Sequence, residues 1–279
     1  MPELPEVETI RQSLSERLGS ARITRIEQRF PGVFSDLSGG YALPLTVEGL
    51  RRRGKYLLID LCDDRGSPLI LILHFRMTGK CLLTDGGAEP AAHTHVSLFA
   101  EDRDGAQCRL DYNDVRRFGR IWLFSGRDET VHPTIRALGP EPLSDQFTAD
   151  SLWQSIRRHP QPSVKAILLN QAEIAGIGNI YADEALFLAG IRPSRRGRSI
   201  RKYEAVRLHQ AIRDVLLLGI GHRGTSFRDY VDGLGRQGSF QQVLNVYGRS
   251  GAPCRVCGTP LQTATVAGRT TRSCPVCQK

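Results

Sequence analysis

The sequence predicts an α+β protein: an N-terminal antiparallel β-sandwich with a flanking N-terminal helix, then a helical C-terminal region that ends in a zinc ribbon. Three observations predict this fold. The chain opens with a helical pattern, continues with short β-rich segments, and turns helical again before a module of paired cysteines. Its 279 residues, 40% of them hydrophobic, are enough to bury a sizeable core.

The opening helix and the strands occupy the first half. Val7, Ile10, Leu14 and Leu18 recur at helical spacing, and Gly19 provides a stop. No helical segment interrupts the strands that follow, which favours an antiparallel sandwich over a parallel sheet with crossover helices. The predicted strands cover residues 23–30, 46–61, 68–77, 95–100, 107–112 and 121–124.

The second half of the sequence has mainly helical patterns. A segment rich in proline and glycine at 131–145 marks a linker, and a glycine-rich turn, AGIGN, separates the second and third helices. The predicted helices cover residues 152–158, 164–171, 179–189 and 201–218. The expected domains are 1–130 for the β-sandwich, 131–145 for the linker, 146–245 for the helical domain and 246–279 for the cysteine module.

Positive charge is concentrated in the second half. Residues 1–130 carry 18 basic and 19 acidic side chains, whereas residues 131–279 carry 20 basic and 10 acidic ones. This asymmetry suits a surface that binds a polyanion, because neutralising phosphates releases counterions. A solvated basic face is the alternative interpretation.

The N-terminal sequence MPELPEVETI has neither the basic nor the apolar segment of a secretion signal. No stretch reaches the roughly 18 apolar residues of a membrane span. We therefore expect a cytoplasmic protein with no membrane partner.

Four of the seven cysteines form a metal-binding pattern. Cys254, Cys257, Cys274 and Cys277 follow the spacing C-x2-C-x16-C-x2-C, which places four thiolates around one structural Zn²⁺. The residues between the pairs alternate like two strands with Ala267-Gly268 at the turn, so a zinc ribbon is predicted. A redox role for either pair is the alternative, and the other three cysteines are expected in the core.

Pro2 carries possible chemistry if Met1 is removed. The chain would then begin with a secondary amine of pKa ~8, against ~10.4 for lysine. Such an amine can attack an aldehydic sugar carbon and form an iminium. Glu3 and Glu6 lie beside it and could act as general acid or base. The alternative is that Pro2 is merely the residue after the start codon.

Five segments together resemble one family. PELPEVE at the start, HFRMTGK at 74–80, NDVRRFGRIW at 113–122, GIGNIYADEALF at 176–187 and the cysteine module match, in order, the Fpg/MutM branch of the Fpg/Nei family, the formamidopyrimidine-DNA glycosylases. The resemblance runs over essentially the whole chain. It implies a helix-two-turn-helix domain, a zinc ribbon, damaged double-stranded DNA as partner, and action as a monomer in the bacterial cytoplasm at the nucleoid.

The resemblance also implies roles at the reaction centre. Pro2 is the expected nucleophile at C1′ of the damaged nucleotide and Glu3 the acid that helps open the sugar, with β- and δ-elimination to follow. Lys55 is similar to a family lysine near the lesion and phosphates. Arg269, near the tip of the ribbon, would complete a phosphate clamp and is grouped with these catalytic candidates.

Other residues are expected to bind DNA. Extruding a damaged base leaves a gap in the stack, and Met77, Arg116 and Phe118 resemble the family's intercalating trio: an apolar filler, a guanidinium that reads the orphaned cytosine, and a wedging ring. Without the family, Met77 and Phe118 would be interpreted as core residues. The remaining candidates are listed here: Arg117, facing a phosphate; Lys165, at the damaged nucleotide; Asn179, gripping phosphate at a helix start; and His95, a DNA-binding but not a catalytic candidate.

The sequence departs from the family pattern at two places. Val115 stands where many members have proline, and residues 228–242 have the length of the family's lesion-capping loop but a diverged interior. The expected activity is a bifunctional glycosylase and AP lyase for 8-oxoguanine opposite cytosine and formamidopyrimidines. The alternatives are a Nei-type enzyme for oxidised pyrimidines and a non-catalytic zinc-ribbon protein that binds DNA damage.

Overall fold

The computed structural model describes residues 1–227 and 230–279. They divide into two compact units: Met1–Arg136 with His222–Ser239, and Ala137–Gly221 with Phe240–Lys279. The sequence-based boundaries place 222–239 in the helical domain, whereas the structure groups these residues with the N-terminal unit. Residues 228 and 229, which open the expected capping stretch, lie outside the described residues.

The first unit contains one long helix and a nine-stranded sheet. Helix α1 spans Leu4–Leu18, and its apolar stripe is buried as the helical spacing predicts. The strands are β1 Arg22–Gln28, β2 Phe34–Leu37, β3 Leu45–Arg53, β4 Tyr56–Cys62, β5 Pro68–His74, β6 Lys80–Asp85, β7 Thr94–Glu101, β8 Gln107–Asn113 and β9 Arg120–Ser125.

The strand order is β2-β9-β5-β4-β3-β1-β7-β8-β6, with β2 parallel to β9 and the other neighbours antiparallel. The short pairing of Arg22 with Thr46 and Ile23 with Leu45 joins β1 to β3. The sheet thereby forms the two halves of the predicted sandwich. Side chains of both halves and of α1 share one core, which includes Ile10, Leu71 and Leu110.

Several predicted boundaries differ from the structure. Residues 46–61 form two strands, because Gly54-Lys55 is a two-residue turn that pairs Arg53 with Tyr56. Strands β2 and β6 were not predicted. Both lie at the sheet edges, where short strands with polar residues do not show the alternation of a half-buried strand. The predicted linker contains helix α2, Pro133–Arg136.

The second unit is mainly helical. Its helices are α3 Ala149–Arg158, α4 Val164–Leu169, α5 Asn179–Leu188 and α6 Lys202–Gly221, close to the four predicted. Within the described residues no helix combines the length and apolar content needed to cross a bilayer. Helix α5 packs against α4, α6 and the final hairpin.

That hairpin is the predicted ribbon. Strands β10 Gln262–Val266 and β11 Arg269–Ser273 pair antiparallel from Gln262–Ser273 to Val266–Arg269. The turn residues Ala267 and Gly268 both have positive φ, 53° and 68°, which is the conformation that a two-residue hairpin turn requires. Arg269 therefore lies directly beside the tip.

Candidate functional site

The N-terminal residues are buried and held at the start of α1. Pro2 is buried and Glu3 is 3% exposed. Glu3 is the N-cap of α1, and its backbone N–H donates to Glu6 Oε2 at 2.9 Å. This arrangement joins the Glu6 carboxylate to the residue that follows Pro2, so the two acids named from the sequence both flank the expected nucleophile.

Two residues of the 222–239 segment also hold Glu6 in place within the first unit. Thr225 N donates to Glu6 Oε1 at 2.8 Å, and Tyr230 Oη donates to the Glu6 carbonyl at 3.2 Å. Glu6 is only 2% exposed. Thr225 and Tyr230 thus position Glu6, and through it Glu3. Sequence reasoning missed this because the two partners are more than two hundred positions apart.

Lys55 and His74 lie at neighbouring strand ends. Lys55 follows Gly54 in the β3–β4 turn yet is only 8% exposed, and Tyr56 beside it pairs with His74 at the end of β5. Burial, with added positive charge from Arg76 and Lys55, lowers the pKa of His74 to about 3. A neutral imidazole therefore lies next to the lysine.

The structure brings the expected intercalating trio together. Met77 and Phe118 are 50% and 49% exposed, so neither is a core residue. Arg116 lies between them: its Nη1 is 3.4 Å from Met77 Sδ, and its guanidinium carbon is 4.7 Å from the centre of the Phe118 ring. Arg117 points elsewhere, over the Phe30 ring at 4.2 Å.

Asp114 organises both loops that carry the trio, and sequence reasoning missed it. Its side chain is fully buried and accepts Thr78 Oγ1 at 2.5 Å, Gly119 N at 2.8 Å and Arg116 N at 3.2 Å. An aspartate that bonds backbone N–H groups further along its own turn is a usual turn signal, and NDVRRFG contains it. Gly119 is required here, since a Cβ would lie 1.6 Å from Tyr112 Oη.

His95 is 4% exposed and contacts the loop that begins at Asp114 and carries Arg116 and Phe118. Its Nε2 lies 2.8 Å from the Asp114 carbonyl oxygen, and its ring packs against Phe30. This position differs from the exposed one expected of a direct DNA ligand, because the strand turns the ring inward. The DNA-binding role of His95 stays a prediction.

Asn179 lies at the start of α5 in the second unit. The turn before it is held by Gln171, whose side chain bonds Gly176 N and the Ile177 carbonyl. Asn179 Nδ2 donates to the Thr270 carbonyl at 3.1 Å, and its Oδ1 is buried without a hydrogen-bond partner among the described residues. The α5 N-terminus has no capping side-chain bond from Gly178. The positive end of the α5 dipole, where Asn179 lies, suits an anion.

Lys165 is placed differently from the expectation. It is fully buried: Nζ is 2.6 Å from Asp183 Oδ1 and donates to Thr271 Oγ1 at 2.7 Å. The pair thus joins α4, α5 and β11 in the interior of the second unit. A direct phosphate contact would require this pair to open, because Nζ has no exposed surface. Its DNA-binding role stays a prediction.

The cysteine module fits one zinc ion. The sulfurs of Cys254, Cys257, Cys274 and Cys277 all lie within 4.8 Å of one another. Two separations are 3.9 Å, Cys254–Cys277, and 3.4 Å, Cys257–Cys274; a tetrahedron with ~2.3 Å bonds gives roughly 3.8 Å. Four thiolates leave no open coordination position, so the site is structural. Arg269, at the exposed hairpin tip, depends on this module for its position.

Comparison with known families covers nearly the whole chain. Residues 1–121 match the formamidopyrimidine-DNA glycosylase N-terminal domain, residues 138–230 match the formamidopyrimidine-DNA glycosylase H2TH domain, and residues 251–279 match the zinc finger found in FPG and IleRS. The last match contains the four cysteines.

Individual relatives agree. The formamidopyrimidine-DNA glycosylase of Desulforamulus reducens is 44% identical over 287 residues, covering 100% of this chain and 99% of that protein. A Lactococcus lactis FPG variant bound to Fapy-dG-containing DNA is 36% identical, with a TM-score of 0.89 and 100% coverage of both chains. The wild-type L. lactis protein bound to DNA with an oxidised pyrimidine is 35% identical, with a TM-score of 0.87 and the same coverage. This chain belongs to the formamidopyrimidine-DNA glycosylase family.

Proposed function

We propose that this chain is a bifunctional DNA glycosylase and AP lyase of base excision repair that removes oxidised purines. The observation that carries the proposal is the N-terminal arrangement. Pro2 is buried at the start of a helix, directly before Glu3, and Glu6 is hydrogen-bonded to the Glu3 backbone. An amine and two carboxylates are the groups that glycosidic bond cleavage through a Schiff base needs.

The reaction follows from these groups. With Met1 removed, the lone pair of the Pro2 nitrogen attacks C1′, and the base departs with the electrons of the glycosidic bond and takes up a proton. Glu3 donates a proton to O4′ as the sugar ring opens, which leaves an iminium between Pro2 and C1′. Loss of the 3′-phosphate and then of the 5′-phosphate, by β- and δ-elimination, leaves a one-nucleotide gap, and water releases Pro2.

The Met77–Arg116–Phe118 cluster supports base extrusion. Unstacking a base costs a few kcal/mol, and half-exposed apolar side chains beside a guanidinium can fill the resulting gap and hydrogen-bond to the remaining base. Asp114 supports that function, because it fixes the backbone on both sides of the cluster.

The second unit supplies phosphate contacts. Asn179, at the N-terminus of α5, and the exposed Arg269 suit a phosphodiester backbone. Zinc bound by the four cysteines holds the hairpin that carries Arg269 and takes no part in the reaction. Damaged duplex DNA is the proposed partner, and the protein acts on it as a monomer. Lys55 and Lys165 are further proposed contacts near the damaged nucleotide.

Oxidised purines are the proposed lesions: 8-oxoguanine opposite cytosine, and formamidopyrimidines. Support comes from the N-terminal PELPEV and from Phe118 after the double arginine, which favour the Fpg branch over the Nei branch. The L. lactis relatives were solved with both a Fapy-dG and an oxidised pyrimidine, so lesion preference has to be measured.

The test is a cleavage assay on duplexes with one 8-oxoguanine opposite cytosine or one thymine glycol opposite adenine. We expect 8-oxoguanine to be excised faster than thymine glycol, leaving a gap with phosphate at both ends. The Glu3→Gln variant should not excise either base. Preference for thymine glycol would indicate Nei-type specificity. Binding without any cleavage by protein that lacks Met1 would indicate a non-catalytic damage-binding protein.

A further inference from the structure

The loop after α5 concentrates positive charge without acidic neighbours in sequence. Between Glu184 and Glu204 there is no other Asp or Glu, and six Arg or Lys residues occur: Arg192, Arg195, Arg196, Arg198, Arg201 and Lys202. Two of these are paired, Arg195 with Glu204 at 2.6 Å and Lys202 with Asp150 at 2.9 Å. The rest of the loop therefore carries uncompensated charge.

Arg192, Arg196 and Arg198, which we call the arginine loop, are exposed. Across residues 1–227 and 230–279, no carboxylate is within ion-pair distance of their guanidinium groups. Arg196 contacts the neutral side-chain amide of Gln161 at 3.3 Å. A nearby acid, Glu173, is already bound by Arg158 and His159.

The backbone of the arginine loop is fixed. Gly197 N donates to the Pro162 carbonyl at 2.9 Å and Arg198 N to the Pro160 carbonyl at 3.0 Å, while Arg192 N donates to the main-chain oxygen of Lys279 at 3.1 Å. A Cβ at Gly197 would lie 2.2 Å from the His159 carbonyl oxygen, so the loop packs directly on the segment that follows α3. Little backbone entropy remains to be lost when these arginines bind an anion.

The arginine loop is separate from the Asn179 surface. Helix α5 begins at Asn179 and ends at Leu188, just before the loop. Ten residues at ~1.5 Å per residue place the two about 15 Å apart along the helix axis. The loop is therefore not part of the phosphate contacts described for the start of α5.

We propose that the arginine loop is a second, sequence-independent contact for the phosphate backbone of duplex DNA. Guanidinium groups bind phosphate oxygens in pairs, and three of them on a fixed loop favour a polyanion over a single small anion. The proposal rests on DNA as the substrate class. It assigns the loop to binding of undamaged DNA during search, outside the chemistry of excision.

The experiment compares the full-length, zinc-loaded wild type with the triple variant R192Q/R196Q/R198Q. A matched control, R65Q/R103Q/R127Q, removes the same charge from exposed turns of the first unit. Affinity for an undamaged fluorescent duplex is measured by anisotropy between about 50 and about 200 mM salt. Single-turnover excision of 8-oxoguanine is measured at saturating enzyme, and thermal melting verifies that each variant is folded.

Each phosphate contact contributes ~0.9 to the slope of log K against log salt. The arginine-loop variant is expected to lose about 2 to 3 from that slope, with its excision rate within about twofold of wild type. An unchanged slope would overturn the proposal, and so would an equal loss in the control. Absence of excision in the wild type would instead contradict the proposed function, so the two failures are distinguishable.

Discussion

Replacing Asp114 by Asn tests whether the intercalating trio, Met77, Arg116 and Phe118, depends on the hydrogen bonds of Asp114 for its function. The wild-type carboxylate accepts Thr78 Oγ1 and Arg116 N on Oδ1 and Gly119 N on Oδ2. The variant has one acceptor oxygen and one NH₂ group. Whichever way the new amide is turned, one backbone N–H of the loop loses its acceptor and faces another donor.

The magnitude follows from these contacts. A hydrogen bond to a charged acceptor contributes ~1.5–3 kcal/mol, and a buried donor left unsatisfied costs a similar amount. D114N should therefore lower the free energy of unfolding by about 2 kcal/mol. Arg116 and Phe118 lie on the loop that loses this hydrogen bond, and both are expected to fill the gap in the duplex. If the full ~2 kcal/mol is also lost from the transition state for excision, kcat/KM should fall roughly thirtyfold.

Asp63 provides the matched control. It is a buried turn aspartate that accepts Ala42 N, Arg65 N and Ser67 N, at 3.2, 3.0 and 2.7 Å. It lies at the opposite end of β4 and β5 from Lys55 and His74, seven residue pairs or roughly 20 Å away. D63N should lower stability in denaturant titrations but leave kcat/KM unchanged. A D114N protein that loses stability but keeps the wild-type kcat/KM would show that the trio does not depend on Asp114.

Three further predictions concern the trio, the zinc ribbon and His74. Met77→Ala with Phe118→Ala should reduce excision about tenfold or more, because a stacked side chain contributes ~1–3 kcal/mol, while undamaged-duplex affinity falls less than about twofold; equal losses would make both residues structural. Removal of zinc should abolish DNA binding while the N-terminal unit stays folded by circular dichroism; unchanged affinity after verified zinc loss would refute it. The pKa of His74 is lowered by burial to about 3, so its stabilising contribution is present above about pH 6.5 and is lost as pH falls towards 3. His74→Gln should therefore lose less stability than wild type when titrated from about pH 6.5 to about pH 4, and identical acid sensitivity would contradict this.

Local patterns predicted much of the fold. The apolar spacing of α1, the turn before α5 and the cysteine spacing each depend on residues close together in the chain, and the structure contains all three elements. Strands β2 and β6 could not be predicted in this way. Their pairing with β9 and β8 depends on residues far away in sequence, and neither segment has strong alternation of its own.

In the candidate site, too, the features set by neighbouring residues could be predicted and those set by distant residues could not. Pro2, Glu3 and the cysteines are recognisable from position and spacing, whereas the supports of the site are long-range. Glu6 bonds Thr225 across the length of the chain, and Lys165 pairs with Asp183 in the interior. A charged residue that is buried by a distant partner looks, in sequence, like an exposed ligand. Lys165 was therefore expected to contact the damaged nucleotide.

We propose that the Pro2 amine forms the covalent intermediate with the damaged nucleotide. Borohydride trapping on a duplex with 8-oxoguanine opposite cytosine, followed by mass mapping of the cross-linked peptide, tests it most directly. We expect an adduct on Pro2 in protein that lacks Met1, and more adduct with the 8-oxoguanine duplex than with a thymine glycol duplex. An adduct on Lys55, or none on either duplex although Met1 is absent, would contradict it.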